Sequence, residues 1–165
     1  MGAEADPDEV ARAILLRQLT RGPRTRAQLE EACAKRGVPE PVAQRVLDRF
    51  TELRLVDDEA FAHAWVESRH HGRGLSRKAL RFELRRKGVA DETIDRALEQ
   101  VDADDERAAA LRLARSRATG LDRYDRATQQ RRLQGLLARR GYSPGLAAGV
   151  VREVLGDRLD GDLSP

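Results

Sequence analysis

Three times along this 165-residue chain, basic residues precede a glycine and then an apolar residue: Lys35-Arg36-Gly37-Val38, Arg86-Lys87-Gly88-Val89 and Arg139-Arg140-Gly141-Tyr142. The glycines lie 51 and 53 residues apart, a spacing that marks a repeat protein. The flanks carry the same register. Eight residues before each glycine stand Leu29, Leu80 and Leu133, and four before stand Cys33, Leu84 and Leu137, the i, i+4 step of one helix face. Beyond each glycine, Ala43/Val46/Leu47/Phe50, Ile94/Ala97/Leu98/Val101 and Ala147/Val150/Val151/Val154 occupy matching positions and predict a second amphipathic helix in every copy.

Helix signals fill in the rest. Asp8 begins a helix with Val10, Ile14 and Leu15 inward, and Gly22-Pro23 stops it. Thr25-Arg26-Ala27-Gln28 fits a capping box. Pro39-Glu40-Pro41 opens a helix carrying Val42, Val46, Phe50 and Leu53 toward Val56. Asp57-Asp58-Glu59 and Asp104-Asp105-Glu106 place acids where a helix N-terminus favours them, and Ser76 is an N-cap. No segment shows the period-two alternation of a strand. The expectation is an all-α chain of three tandem three-helix, helix-turn-helix-like repeats at 8–56, 57–101 and 102–156. A disordered tail at 1–7 and an acidic tail at 157–165 flank them. Units of this size are near the lower limit for an independent core, so they are expected to stack and share burial. The six aromatic residues leave Leu, Val and Ala to build thin cores, with Cys33 as a small core residue.

Catalytic readings fail in turn. Gly72-Arg73-Gly74 has Arg77 where a dinucleotide motif needs its third glycine, no strand precedes it, and no GK[ST] occurs. His70 and His71 read as a solvated pair, without HExxH or CxxC beside them. The expectation is no enzyme, metal, cofactor or small-molecule substrate. No apolar run approaches the length of a membrane span and the N-terminus is acidic, so a cytoplasmic protein is expected.

Charge is uneven. Residues 1–60 hold 10 basic and 12 acidic side chains, 61–143 hold 19 and 12, and 144–165 hold 2 and 4. From Arg69 to Lys87 there are eight Arg or Lys against Glu83 alone, with Arg77, Lys78, Arg81 and Arg85 on one face of a helix and Leu80 and Leu84 on the other. Cations in a first turn oppose the helix dipole, and each like-charge i, i+4 pair costs about 0.2–0.5 kcal/mol. The stripe is either a solvated face or a docking surface for phosphates or an acidic protein groove. Arg131, Arg132, Arg139 and Arg140 in a second tract either extend that ribbon or solvate an Ala-rich bundle.

The order Asp58, Phe61-Ala62, Trp65-Val66, Arg69, Gly72-Arg73-Gly74, then Glu83-Leu84 and Lys87-Gly88-Val89 resembles the signature of the RecX family, regulators of the bacterial recombinase RecA. The resemblance spans about residues 8–155. It implies an elongated, curved protein lying in the groove of the RecA filament. There it would block strand exchange, filament growth, ATPase and coprotease action, and so modulate recombination, DNA repair and the SOS response. On this resemblance Asp58, Phe61, Trp65, Leu84 and Gly88 are structural, and Arg69, Arg73, Arg77, Lys78 and Arg81 lie on or beside the docking surface; the charge pattern adds Arg85, Arg131 and Arg132 to the candidate partner-binding residues. Arg69 shares a face with Phe61 and Trp65, so internal pairing with Asp58 or another acid stays open. The implied partner is the RecA filament, with single- or double-stranded DNA phosphates as a further contact and a monomer as the binding species. The rival is a DNA-binding helix-turn-helix protein acting without RecA, since residues 25–56 suit a winged-helix core; the turn into Asp57-Asp58 leaves no place for a wing.

Overall fold

The computed structural model describes residues 5–161, with side chains as far as Gly156. Its nine helices among the described residues are α1 (Pro7–Thr20), α2 (Arg26–Lys35), α3 (Glu40–Glu52), α4 (Asp58–Arg73), α5 (Arg77–Arg86), α6 (Asp91–Leu98), α7 (Ala103–Ala118), α8 (Arg126–Arg139) and α9 (Pro144–Gly161). No strand occurs among the described residues.

Each repeated glycine ends a helix in the same way. Gly37, Gly88 and Gly141 hold φ of +74°, +79° and +88°, a region that costs a side-chain-bearing residue energy. Each glycine N–H donates to the carbonyl three residues back, at Ala34, Arg85 and Ala138. The next N–H reaches the carbonyl of Cys33, Leu84 or Leu137 at 3.1 Å. This bond pair is the Schellman motif, which satisfies carbonyls a helix end would leave open. Because the motif fixes where one helix stops and the next begins, it also fixes the register of the flanks. All eighteen apolar positions that the three copies share are buried, Ala43 and Phe50 being the most exposed at 5%.

The chain divides into two compact units, one of residues 1–65 and 83–97 and the other of residues 66–82 and 98–165. In the first, α1, α2 and α3 pack around Ile14, Leu15, Leu29, Cys33, Leu47 and Phe50. The Cys33 thiol is fully buried, and desolvation pushes its pKa up. In the second, α7, α8 and α9 pack around Ala114, Leu133, Leu137, Val150, Val151 and Val154. The Ala-rich face of α7 (Ala110, Ala114, Ala118) lets these helices approach closely.

Within each unit a repeated glycine also docks on an earlier helix start. In the first unit the buried Thr25 hydroxyl donates to the Lys87 carbonyl at 2.6 Å, and Gly88 abuts Ala27 in the first turn of α2. In the second the Ser76 N–H donates to the Arg140 carbonyl at 3.0 Å, and Gly141 abuts Ser76 and Ala79 at the start of α5. Gly37 has the same backbone but nothing within 4 Å of where a Cβ would stand.

Capping follows the sequence closely. Thr25 and Gln28 form the expected capping box, Ser76 Oγ accepts the Ala79 N–H, and Asp102 with Asp105 caps α7. Three expectations shift. Helix α1 begins at Pro7 behind an Asp6 cap, and Val10 is 36% exposed, its inward place taken by Ala11. Helix α3 stops at Glu52, because Arg54 adopts φ +58° and closes another Schellman turn; Leu53 therefore stands half exposed rather than inward, as does the neighbouring Leu55 in the turn. Helix α9 runs to Gly161, past the expected boundary at 156. The remaining reading of the tails, at residues 1–4 and 162–165, lies outside the described residues.

Candidate docking surface

The aromatic signature of the middle repeat is a side-chain cluster in the first unit. Phe61 and Trp65, one turn apart on α4, stack with centroids 5.8 Å apart. The indole N–H donates to Glu83 Oε2 at 2.8 Å, and Lys87 Nζ sits 4.3 Å from the indole ring centroid. Glu83, the lone acid of the basic tract, is thus committed to Trp65, and Lys87 to the ring face. Asp58 Oδ1 accepts the Arg26 N–H at 2.9 Å, joining α4 to the start of α2. These residues serve the scaffold.

What remains of the tract is cationic. On α5, Arg77 and Arg81 are half-buried and Lys78 is exposed. The dipole conflict foreseen for this first turn is relieved in part by Glu106 of α7, whose carboxylate accepts the Arg77 N–H at 2.8 Å. Sequence reasoning saw Glu106 only as a first-turn acid of its own helix. Arg85 at the far end of α5 donates to Asp91 at 2.8 Å, and that hydrogen bond holds its pKa above the ordinary guanidinium value. Arg69 is half-buried on α4, and Arg73 is exposed at its end, with its carbonyl receiving the Arg140 guanidinium.

Arg131 and Arg132 of α8 come together with Arg117, Arg139, Leu121 and Leu136 around a cavity of about 510 Å³, which none of the α5 cations lines. No carboxylate lines it either. The Arg132 guanidinium lies 4.0 Å from the Tyr124 ring centroid and that of Arg123 4.9 Å, and hydrogen bonding to Arg123 draws the Tyr124 pKa down. Sequence spacing missed Arg117 as a member of this group because the turn at 119–125, which has no helical period, brings α7 back to α8. Chemically the second unit offers clusters of planar guanidinium donors suited to phosphate or carboxylate oxygens.

The histidine reading is corrected. His70 is not solvated but 1% exposed, with Nδ1 2.9 Å from the Leu75 carbonyl, while His71 is exposed with its ring edge-on to His70. Ala62, Val66 and His70 follow one another at four-residue steps and are all buried, a pattern the adjacent histidines obscured. Among the described residues no three His, Cys, Asp or Glu gather as a metal site requires. No helix among them is long and apolar enough to cross a membrane.

Family models describe the first, second and third three-helix domains of RecX, and they match residues 11–50, 57–98 and 104–151. The regulatory protein RecX of Streptomyces coelicolor is 54% identical over 150 residues, spanning 91% of this chain and 80% of its own. That of Thermobifida fusca is 50% identical over 157 residues, spanning 93% and 85%. The crystal structure of RecX from Lactobacillus salivarius superposes with a TM-score of 0.78 over 92% of this chain and 98% of its own at 19% identity, a likeness of fold.

Proposed function

This chain belongs to the RecX family of regulatory proteins, and on that premise we propose that it regulates the RecA recombinase. It lays a basic face along the groove of the RecA–DNA filament and inhibits strand exchange, ATP hydrolysis and coprotease action. It acts by binding, as a cytoplasmic monomer without catalysis. The observation that carries this reading is the cationic stripe Arg77, Lys78 and Arg81 at the start of α5. The sole carboxylate of that tract is turned onto Trp65, and Glu106 meets the helix dipole at the Arg77 backbone N–H. The first-turn cations Arg77 and Lys78 oppose the helix dipole, whereas a polyanionic groove favours them. The α3–α4 junction weighs against the rival DNA-binding protein with a wing, since only five residues separate Glu52 from Asp58 and no strand pair fits there.

The test is inhibition of RecA's DNA-dependent ATPase by the whole chain. Glu106 holds the backbone N–H of Arg77, so Arg77→Glu/Arg81→Glu, with its fold checked by circular dichroism, is expected to lose the inhibition. Undiminished inhibition by that variant, or tight sequence-specific duplex binding without RecA, would overturn the reading.

A further inference from the structure

We propose that the second unit carries a binding site for a phosphoryl group, walled by Arg73, Arg112 and Arg140 with His70 and His71. These residues line a cavity of about 470 Å³ whose remaining wall is Gly72, Gly74, Ala109 and Leu113, and no carboxylate faces it. Arginines from three elements, Arg73 at the end of α4, Arg112 in the middle of α7 and Arg140 at the end of α8, thus line one cavity that no carboxylate lines. Glu106, whose carboxylate accepts the Arg77 N–H, does not line the cavity. Like charges gathered in this way repel unless an anion joins them.

The cavity is built, not a chance gap between side chains. Its loop is bolted at three points to the end of α8. The Arg140 guanidinium donates to the Arg73 carbonyl, the Tyr142 hydroxyl to the Gly74 carbonyl at 2.7 Å, and the Ser76 N–H to the Arg140 carbonyl at 3.0 Å. Gly74 holds φ +64°, and a Cβ there would stand 3.5 Å from Leu113 Cδ2. The loop therefore keeps its shape without a ligand.

A second observation comes from His70. Its Nε2 is the one buried side-chain nitrogen or oxygen without a hydrogen-bond partner among the described residues. The Leu75 carbonyl can only accept, so Nδ1 carries a proton. The neutral ring then leaves a lone pair at Nε2 with no donor, and the charged ring an N–H with no acceptor. His70 also lines the cavity, so the unmet ring nitrogen belongs to a residue of its wall.

A phosphoryl group suits this arrangement better than a carboxylate. A planar carboxylate is satisfied by one guanidinium fork, whereas the three oxygen-bearing faces of a phosphate take donors from several directions. The size of the cavity indicates a phosphate carried on a larger molecule. Gly72-Arg73-Gly74 fails as a nucleotide-loop motif because no strand and no backbone cradle accompany it. Here the side chains make the cradle. The site extends the proposed filament-binding face at Arg73 and so rests in part on that reading, but its test contains no RecA and the two can fail separately.

The experiment follows the ring nitrogens of the three histidines by NMR in the full chain while inorganic phosphate is added at constant ionic strength against chloride. His70 and His71 should shift saturably and His63 should not. Arg112→Gln, a change at an exposed side chain, should weaken the effect by about tenfold or more, and Arg77→Glu, outside the cavity, should leave it within about twofold. An oligothymidylate that displaces phosphate from the same signals assigns the site to a nucleic-acid backbone; shifts with inorganic phosphate or a nucleoside monophosphate alone assign it to a free phosphate. Equal shifts with chloride, or wild-type affinity in both Arg112→Gln and Arg73→Gln, would overturn the proposal.

Discussion

The three repeated glycines look equivalent in sequence, yet replacing each by alanine should cost different amounts. At Gly37 the only penalty is holding a Cβ at φ +74°, since nothing lies within 4 Å of it, and that strain amounts to about 1–2 kcal/mol. At Gly141 the same strain applies at φ +88°, and the new methyl would also stand 2.8 Å from Ala79 Cβ and closer still to the Ser76 hydroxyl. At Gly88 it would fall well inside contact distance of Ala27 Cβ. Forcing a methyl into such a site adds about 1–3 kcal/mol, for a total near 2–5 kcal/mol. In a protein of this size the Gly37 change should lower Tm by roughly 2–8 °C, and the other two by more. Urea and thermal unfolding followed by circular dichroism read the difference. A double-mutant cycle sharpens it: Ala27→Gly removes the methyl that Gly88→Ala strikes, so the pair should cost less than the sum of its members. Equal destabilisation at Gly37 and Gly141, or strict additivity of Ala27→Gly with Gly88→Ala, would refute the docking role assigned to these glycines.

Arg54 holds a left-handed conformation, at φ +58°, in a turn where the repeats use glycine, and its exposed ion pair with Asp57 adds little; Arg54→Gly should therefore stabilise the chain by about 1 kcal/mol in urea unfolding. The two tyrosines should titrate in separate steps in an ultraviolet pH titration: Tyr124 below the ordinary phenol value of 10.0 beside Arg123, and Tyr142 pushed up to about 12 by burial. Because folding favours the neutral Tyr142 phenol, its contribution is present below about pH 10 and fades as the pH rises through about 12. Tyr142→Phe should remove that alkaline dependence and cost about 1 kcal/mol at neutral pH through the Gly74 carbonyl left unpaired. Asp125 caps α8, and the Thr128 N–H holds its carboxyl below the usual value of 3.8; its stabilisation is present above that pH and lost as the pH falls through the depressed value. Asp125→Asn, a cap at any pH, should flatten this acid limb in pH-dependent unfolding.

The repeat plan was legible because one local device, a glycine in the left-handed region closing a Schellman turn, sets the register for ten or more residues on either side. Once Gly37, Gly88 and Gly141 were aligned, Leu29, Leu80 and Leu133 had to face inward. Arg54 shows where this logic stops, since the same turn closed by an arginine carries no glycine to announce it, and Leu53 was placed inside as a result. The candidate surface was legible as charge but not as arrangement. Glu83 turns onto the Trp65 indole and Asp91 pairs with Arg85, contacts that helical projection of one segment cannot show. Glu106 reaches Arg77 across 29 residues. Arg112 and Arg140 meet Arg73 only because the non-helical turn after α4 is bolted to the end of α8.

Electron microscopy of RecA–DNA filaments decorated with this protein tests the central claim most directly. The account predicts continuous density in the filament groove, into which the coordinates fit with α5 and its Arg77, Lys78 and Arg81 stripe against RecA, and loss of that density with Arg77→Glu/Arg81→Glu. Undecorated filaments beside protein bound to bare DNA, or density that persists unchanged with the charge-reversed variant, would contradict it.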